Sequence, residues 1–264
     1  MKTVTANYHT HTRRCNHAVG ADRDYVENAI RAGMKILGFS DHTPMIFLKE
    51  RYGDYYSGFR MRPEQAEGYF RSVLDLKAEY KNEIEIFAGV ETEYYPDCFP
   101  GYLEFMRQFP LDYMILAQHF VGKEAPGYDA FDPDPSPVRL QKYYEAVLEA
   151  VKTGLFLYVA HPDVINFTGA PDVFEAYTRA FLEALLPLDP VLEINQHGHL
   201  GNRNYPNPEF WRLAGEYGFR AIVGVDAHDP AELLDSERIG WCRNLGETCG
   251  LRMMDSLPIC PPEL

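Results

Sequence analysis

The sequence has no Cys-x-x-Cys pair, and its five cysteines (Cys15, Cys98, Cys242, Cys249, Cys260) are odd in number and widely spaced. A disulfide framework and a closed thiolate metal site are both disfavoured, and the thiols read as reduced. Long hydrophobic runs are also missing. The longest, such as Leu155–Ala160, are about strand length, and Met1-Lys2-Thr3-Val4-Thr5 has no apolar secretory segment. A soluble cytoplasmic protein without membrane contact is expected. Positive charge is scarce, with 25 Lys+Arg against 39 Asp+Glu and a net charge of −14. A broad cationic surface for nucleic acid is therefore not expected. No composition shift, linker or repeat divides the chain, so residues 1–264 read as one domain. At 46% apolar residues, that domain can bury a large core.

What the sequence does contain is alternation. Short β-branched or apolar runs at Thr3–Tyr8, Lys35–Phe39, Ile84–Val90, Asp112–Ala117, Leu155–Ala160, Val191–Asn195 and Ala221–Val225 alternate with helix-period segments. This is the pattern of parallel strands covered by helices, counted here as seven units. The helices carry punctuation. Ser136 caps Pro137–Thr153 and Gly154 ends it, Asn207-Pro208 opens a helix running to Gly218, and Asp22–Gly33 repeats the scheme. Two loops are longer than the fold requires: Thr43–Arg62, with Phe47, Tyr52, Tyr55, Tyr56 and Phe59, and Phe120–Ser136, with Glu124, Asp129, Asp132 and Asp134. They read equally well as plain surface excursions or as lids over a site. The tail after Gly246 has little clean periodicity.

Nine histidines fall in telling places. His9 and His11 follow the first strand, Asp41 and His42 the second, and Glu91 closes the third. His119, His161 and His197 follow the fourth, fifth and sixth, and Asp226 and His228 the seventh. The C-terminal ends of parallel strands share one rim, so these side chains converge although 220 residues separate them. A lone histidine is more often a core or surface residue than a ligand. Six of seven strand ends with a histidine, and the seventh with a glutamate, make coincidence a poor account. In His9-x-His11 both rings lie on one side of an extended segment. Imidazole with carboxylate suits zinc, iron or manganese.

The residues Tyr8-His9-Thr10-His11-Thr12 with His17, Gly38-Phe39-Ser40-Asp41-His42, Gly89-Val90-Glu91, Gln118-His119-Phe120, Ala160-His161-Pro162-Asp163, Glu193-Ile194-Asn195 and Gly224-Val225-Asp226-Ala227-His228-Asp229 resemble the PHP (polymerase and histidinol phosphatase) family, within it the histidinol-phosphatase branch. The resemblance runs from residue 8 to about 230. It implies an α/β fold, a distorted (β/α)7 TIM-like barrel, and three divalent ions, zinc first and iron or manganese as alternatives. Carried over residue by residue, His9, His11, Glu91 and Asp226 would hold the first ion. Glu91, His119 and His161 would hold the second, and His17, His42 and His228 the third.

The activity implied is hydrolysis of a small phosphate monoester, L-histidinol phosphate, by hydroxide generated at the ions. Glu91 and Asp226 would serve at the reacting centre, and His197, His199, Asp163 or Asp226 would protonate the leaving oxygen. Arg203 would bind phosphate oxygens, with His199 and Asn195 as further substrate contacts. Arg13, Arg14, Arg60 and Arg62 read as surface charges. The loop Asn195-Gln196-His197-Gly198-His199 departs from the Asn-Thr-Ser-Gly usual in the branch, and places two extra imidazoles where substrate should sit. Glu93 and the acids of Phe120–Ser136 would suit a cationic leaving group, although solvated loop charge is the plainer reading of those acids. Competing readings are a phosphoesterase for another small phosphate ester, a phosphodiesterase or nuclease, an amidohydrolase whose barrel also opens on His-x-His, and a non-catalytic metal binder. Three divalent ions would bring six positive charges against the two ligand carboxylates, leaving a pocket of about +4 inside an acidic protein.

Overall fold

The computed structural model describes residues 4–44 and 58–264. Parallel strands β1 (Ala6–Asn7), β2 (Ile36–Phe39), β3 (Glu85–Thr92) and β4 (Tyr113–Leu116) pair in chain order. Strands β5 (Val191–Asn195), β6 (Arg220–Gly224) and β7 (Arg252–Met253) form a second parallel set. The expected fifth strand, Leu155–Ala160, makes only bridge contacts through Val159, yet these join the two sets. Leu116 N donates to Tyr158 O (3.0 Å), and Val159 N to Val191 O (3.0 Å).

The curl closes beyond the far ends of β6 and β1. There His11 N donates to Ala227 O at 2.9 Å, and the Asn7 side chain accepts from Val225 N. At the opposite ends the tail intervenes instead. β7 pairs with β6, Met254 N reaches Ala221 O (2.7 Å), and the Leu257 backbone bonds Tyr8 OH in both directions. This wedge distorts an otherwise TIM-like barrel and gives the unassigned tail its place. The helix before it, α8 (Ser236–Thr248), continues past Gly246.

Helices α1 (Asp22–Arg31), α2 (Ala66–Glu79), α3 (Phe99–Met106), α4 (Pro137–Lys152), α5 (Pro171–Leu185), α6 (Gln196–Leu200) and α7 (Pro208–Glu216) cover the outside with α8. Their starts follow the sequence punctuation: Ser136 accepts from Arg139 N ahead of α4, and Asn207 from Glu209 N and Phe210 N ahead of α7. Among the described residues no helix is long and apolar enough to cross a membrane.

One core lies between strands and helices. A smaller one, including Ala6, Tyr8, Tyr113, Ile115, Tyr158 and Ile222, fills the barrel interior. Tyr113 is its pivot, donating to Tyr8 O (2.7 Å) and Phe39 O (3.0 Å) and so tying β4 to the chain beside β1 and to β2. The ring passes over Gly89, where any Cβ would overlap it. That packing explains a glycine inside a strand.

Candidate metal centre

The strand ends deliver the expected ligands to one rim, all buried there except the half-buried His228 and the exposed His17. Glu91, at the end of β3, meets imidazole nitrogens of His42 at 2.7 Å, His9 at 3.1 Å, His161 at 3.2 Å, His119 at 3.5 Å and His11 at 3.6 Å. Asp226 meets His11 at 2.9 Å, His9 at 3.3 Å and His228 at 3.5 Å. His17 completes the outer side, its ring centroid 4.4 Å from that of His228 and 5.4 Å from that of His42. All nine expected ligands are thus brought together. Two sit on strained backbone, His161 at φ 28° and Asp226 at φ 56°, conformations that cost free energy in non-glycine residues and cluster at functional sites.

Each supporting partner turns one imidazole nitrogen away from the centre. Glu193 holds His9 Nδ1 (2.9 Å), Asp41 holds His11 Nδ1 (3.4 Å), and Glu93 holds His119 Nδ1 (2.7 Å). Backbone carbonyls of Cys15 and Asp226 do the same for His17 and His228. Such outer carboxylates and carbonyls fix ring orientation and leave Nε2 free to ligate. His9 Nε2, His11 Nε2, His228 Nε2, Glu91 Oε2 and Asp226 Oδ1 are buried and face only one another, with no hydrogen-bond partner outside this cluster. Unsatisfied buried polar atoms are costly and rare in folded proteins. Gathered in overlapping groups on one rim, they are the donor types that divalent cations take, and the residues fit such a group.

Electrostatics agree. Burial alone would raise the Glu91 and Asp226 carboxyls. The imidazoles of His42, His119 and His9 hold Glu91 well below the usual carboxylate range, and His9, His11 and His228 do so for Asp226. Both stay ionised and available as ligands.

Several residues lie elsewhere than expected. Glu93, read as a partner for a cationic leaving group, is buried behind His119. It pairs with Arg60, whose guanidinium also reaches Glu124 at 2.9 and 3.0 Å. Arg60 is therefore no surface charge, and Glu124 no solvated loop acid: both are fully buried. Asp163 does not line the cavity. Its carboxylate accepts from Asn207 N (2.6 Å) and Trp211 Nε1 (2.8 Å), and burial pushes its pKa up to about 7. Asn195, expected at the substrate, is buried behind Asp226. It donates to Asp226 (3.1 Å) and Glu193 (2.9 Å), while its carbonyl caps α6 at Gly198 N. His199 stacks flat on Trp241, 3.9 Å between centroids, outside the residues that line the cavity. His197 does face the cavity, 4.6 Å from the His228 ring.

A cavity of about 180 Å³ opens onto the histidines and carboxylates. Its remaining walls are Phe59, Phe120, Phe131, Tyr205, Asp129 and Arg203. Arg203 donates to Tyr205 OH (3.1 Å), lies 3.4 Å from His197 Nε2, and sits over the Phe131 ring at 5.4 Å. Both long loops thus reach the site, through Phe59 and through Phe120 to Phe131. Phe47, Tyr52, Tyr55 and Tyr56 lie outside the described residues.

A parallel α/β barrel whose C-terminal rim collects imidazoles around two low-pKa carboxylates defines a metal-dependent protein of the TIM-like type. A profile of the PHP domain matches residues 7–197, and the chain belongs to that family. It is 29% identical over 239 residues to a probable histidinol-phosphatase of Deinococcus radiodurans, covering 88% of this chain and 89% of that one. It is 24% identical over 167 residues to the histidinol-phosphatase of Bacillus subtilis, covering 57% of this chain and 61% of the other. In structure it resembles the histidinol phosphate phosphatase of Lactococcus lactis solved with zinc, L-histidinol and phosphate. There the TM-score is 0.72 at 20% identity, over 95% of each chain.

Proposed function

We propose that the protein is a metal-dependent phosphatase that hydrolyses L-histidinol phosphate to L-histidinol and phosphate. The observation that carries this reading is one small cavity with unsatisfied metal donors on one wall and the Arg203 guanidinium on another. The names of the relatives in Deinococcus, Bacillus and Lactococcus support the choice of substrate.

Three divalent ions would be held by these donors. His9, His11, Glu91 and Asp226 would hold the first, Glu91, His119 and His161 the second, and His17, His42 and His228 the third, with zinc the first choice of metal. When bound, such ions lower the pKa of coordinated water and neutralise charge on a phosphoryl group. The chain's own residues supply the rest. Arg203, its orientation supported by Tyr205 OH and Phe131, would bind phosphate oxygens. His197, on the cavity wall with Glu232 3.7 Å from its Nδ1, would give a proton to the departing alkoxide. Phe59, Phe120 and Phe131, which line the cavity, would restrict water around the ester.

The test is direct. The purified protein, its metal quantified, is offered L-histidinol phosphate, an aryl phosphate and a phosphodiester. Turnover of the monoesters with L-histidinol phosphate preferred is expected. Turnover of the diester alone would overturn the proposal.

A further inference from the structure

The turn between His119 and α4 folds back on itself. Phe120 bridges Asp129 in antiparallel fashion, Val121 N donates to Tyr128 O (2.8 Å), and Ala130 N to His119 O (2.7 Å). This short hairpin delivers the Asp129 carboxylate, half-buried, to the cavity wall. The neighbouring Arg139 acts on it only at a distance. Arg139 donates to the backbone carbonyls of Asp129 and Gly127, and its ion pair is with Asp134 at 3.6 Å. Burial and the nearby Asp132 push the Asp129 carboxyl up, outweighing the opposite pull of Arg139 and His119.

Beside it, Phe59 and Phe120 stack with centroids 5.8 Å apart, and Phe131 lies parallel to the His119 ring at 5.9 Å. Apart from Glu91 and Asp226, Asp129 is the one carboxylate lining the cavity among the described residues. Beside its metal donors and Arg203, the cavity thus offers an acid among aromatic rings. An organic cation suits such a wall, through charge pairing and the negative ring faces.

We infer that Asp129, with Phe59 and Phe120, forms a subsite for a cationic nitrogen carried on the alcohol part of the phosphate ester. The inference rests on the phosphomonoesterase reading above and sharpens it: Asp129 selects esters with a charged leaving group, while Arg203 and the metal donors act on any monoester.

Asp129→Asn is compared with the unmodified protein, both zinc-loaded, on L-histidinol phosphate and on 4-nitrophenyl phosphate, whose alcohol is uncharged. Binding of L-histidinol itself is followed by calorimetry. The expected result is a loss of about ten- to a hundredfold in kcat/KM for L-histidinol phosphate, mostly in KM. Turnover of 4-nitrophenyl phosphate should stay within about twofold, L-histidinol binding should weaken in parallel, and Asp129→Glu should restore part of both. Equal loss on both esters, or no loss on either, overturns the subsite. If neither ester is hydrolysed by the unmodified protein, the phosphatase reading fails. The calorimetry then decides the subsite alone, and equal L-histidinol binding by both proteins counts against it.

Discussion

Glu91 is the residue on which the centre turns, because five imidazole nitrogens lie within 3.6 Å of its carboxylate. Glu91→Gln keeps shape and removes charge, so it should lower bound metal and abolish phosphate release while far-UV circular dichroism is unchanged. Full metal content with normal turnover would show the donor set to be misassigned. Arg60 belongs to the same scale. Its guanidinium compensates two buried carboxylates, Glu93 and Glu124, and removing one partner of a buried ion group strands the others. Arg60→Met should reduce unfolding free energy by about 3–5 kcal/mol in urea titrations, and adding Glu93→Gln with Glu124→Gln should recover much of it. Glu93→Gln alone, by loosening His119, should weaken metal binding by about 10- to 100-fold.

At the scale of elements, the sequence shows where strands end and therefore where histidines gather. It does not show what stands behind them. Arg60 and Glu124 lie in irregular loops, where no periodicity separates a buried charge from a solvated one, and only the meeting of two loops over β3 buries them. Glu193 did leave a signal: an acid in the run Val191-Leu192-Glu193-Ile194-Asn195 sits in a strand buried throughout, which demands a partner, here His9. His199 misleads for a geometric reason. Read as extended chain, His197 and His199 share a side. Asn195 instead caps a helix at once, and two residues along a helix are about 200° apart, so His197 meets the cavity and His199 meets Trp241. The fifth strand was legible from its apolar run but keeps only bridge contacts, since Val159 alone pairs with both neighbours. Tyr113 ties these elements together. Tyr113→Phe leaves two buried carbonyls without that donor and should cost about 1–3 kcal/mol, read as a lower urea midpoint with unchanged slope.

For the molecule as a whole, the acidic excess of the chain and the donor-rich rim act in different places. The net charge of −14 disfavours a long polyanion, whereas a rim loaded with three divalent ions would be locally cationic and would admit a small phosphate ester. The metal-free rim compensates its carboxylates with protons instead. For His9, burial works against the charged form, but Asp226, Glu193 and Glu91 outweigh it and raise its pKa from 6.5 to about 10. In the metal-free protein this group therefore contributes stability that is full below about pH 6.5 and is lost as pH rises through about 10. A cation binding His9 Nε2 at neutral pH must displace that proton. Metal loading in weakly buffered solution should release protons, and apparent affinity should rise with pH towards 10; proton-neutral, pH-independent loading would refute this coupling. The central claim, a metal-dependent phosphatase for L-histidinol phosphate, is tested most directly by phosphate release from that ester, measured side by side with zinc-loaded and chelator-stripped protein. Equimolar phosphate and L-histidinol from the loaded protein alone, restored to the stripped protein on adding zinc, is the predicted result. No release by the loaded protein, or equal release by both, would contradict the account.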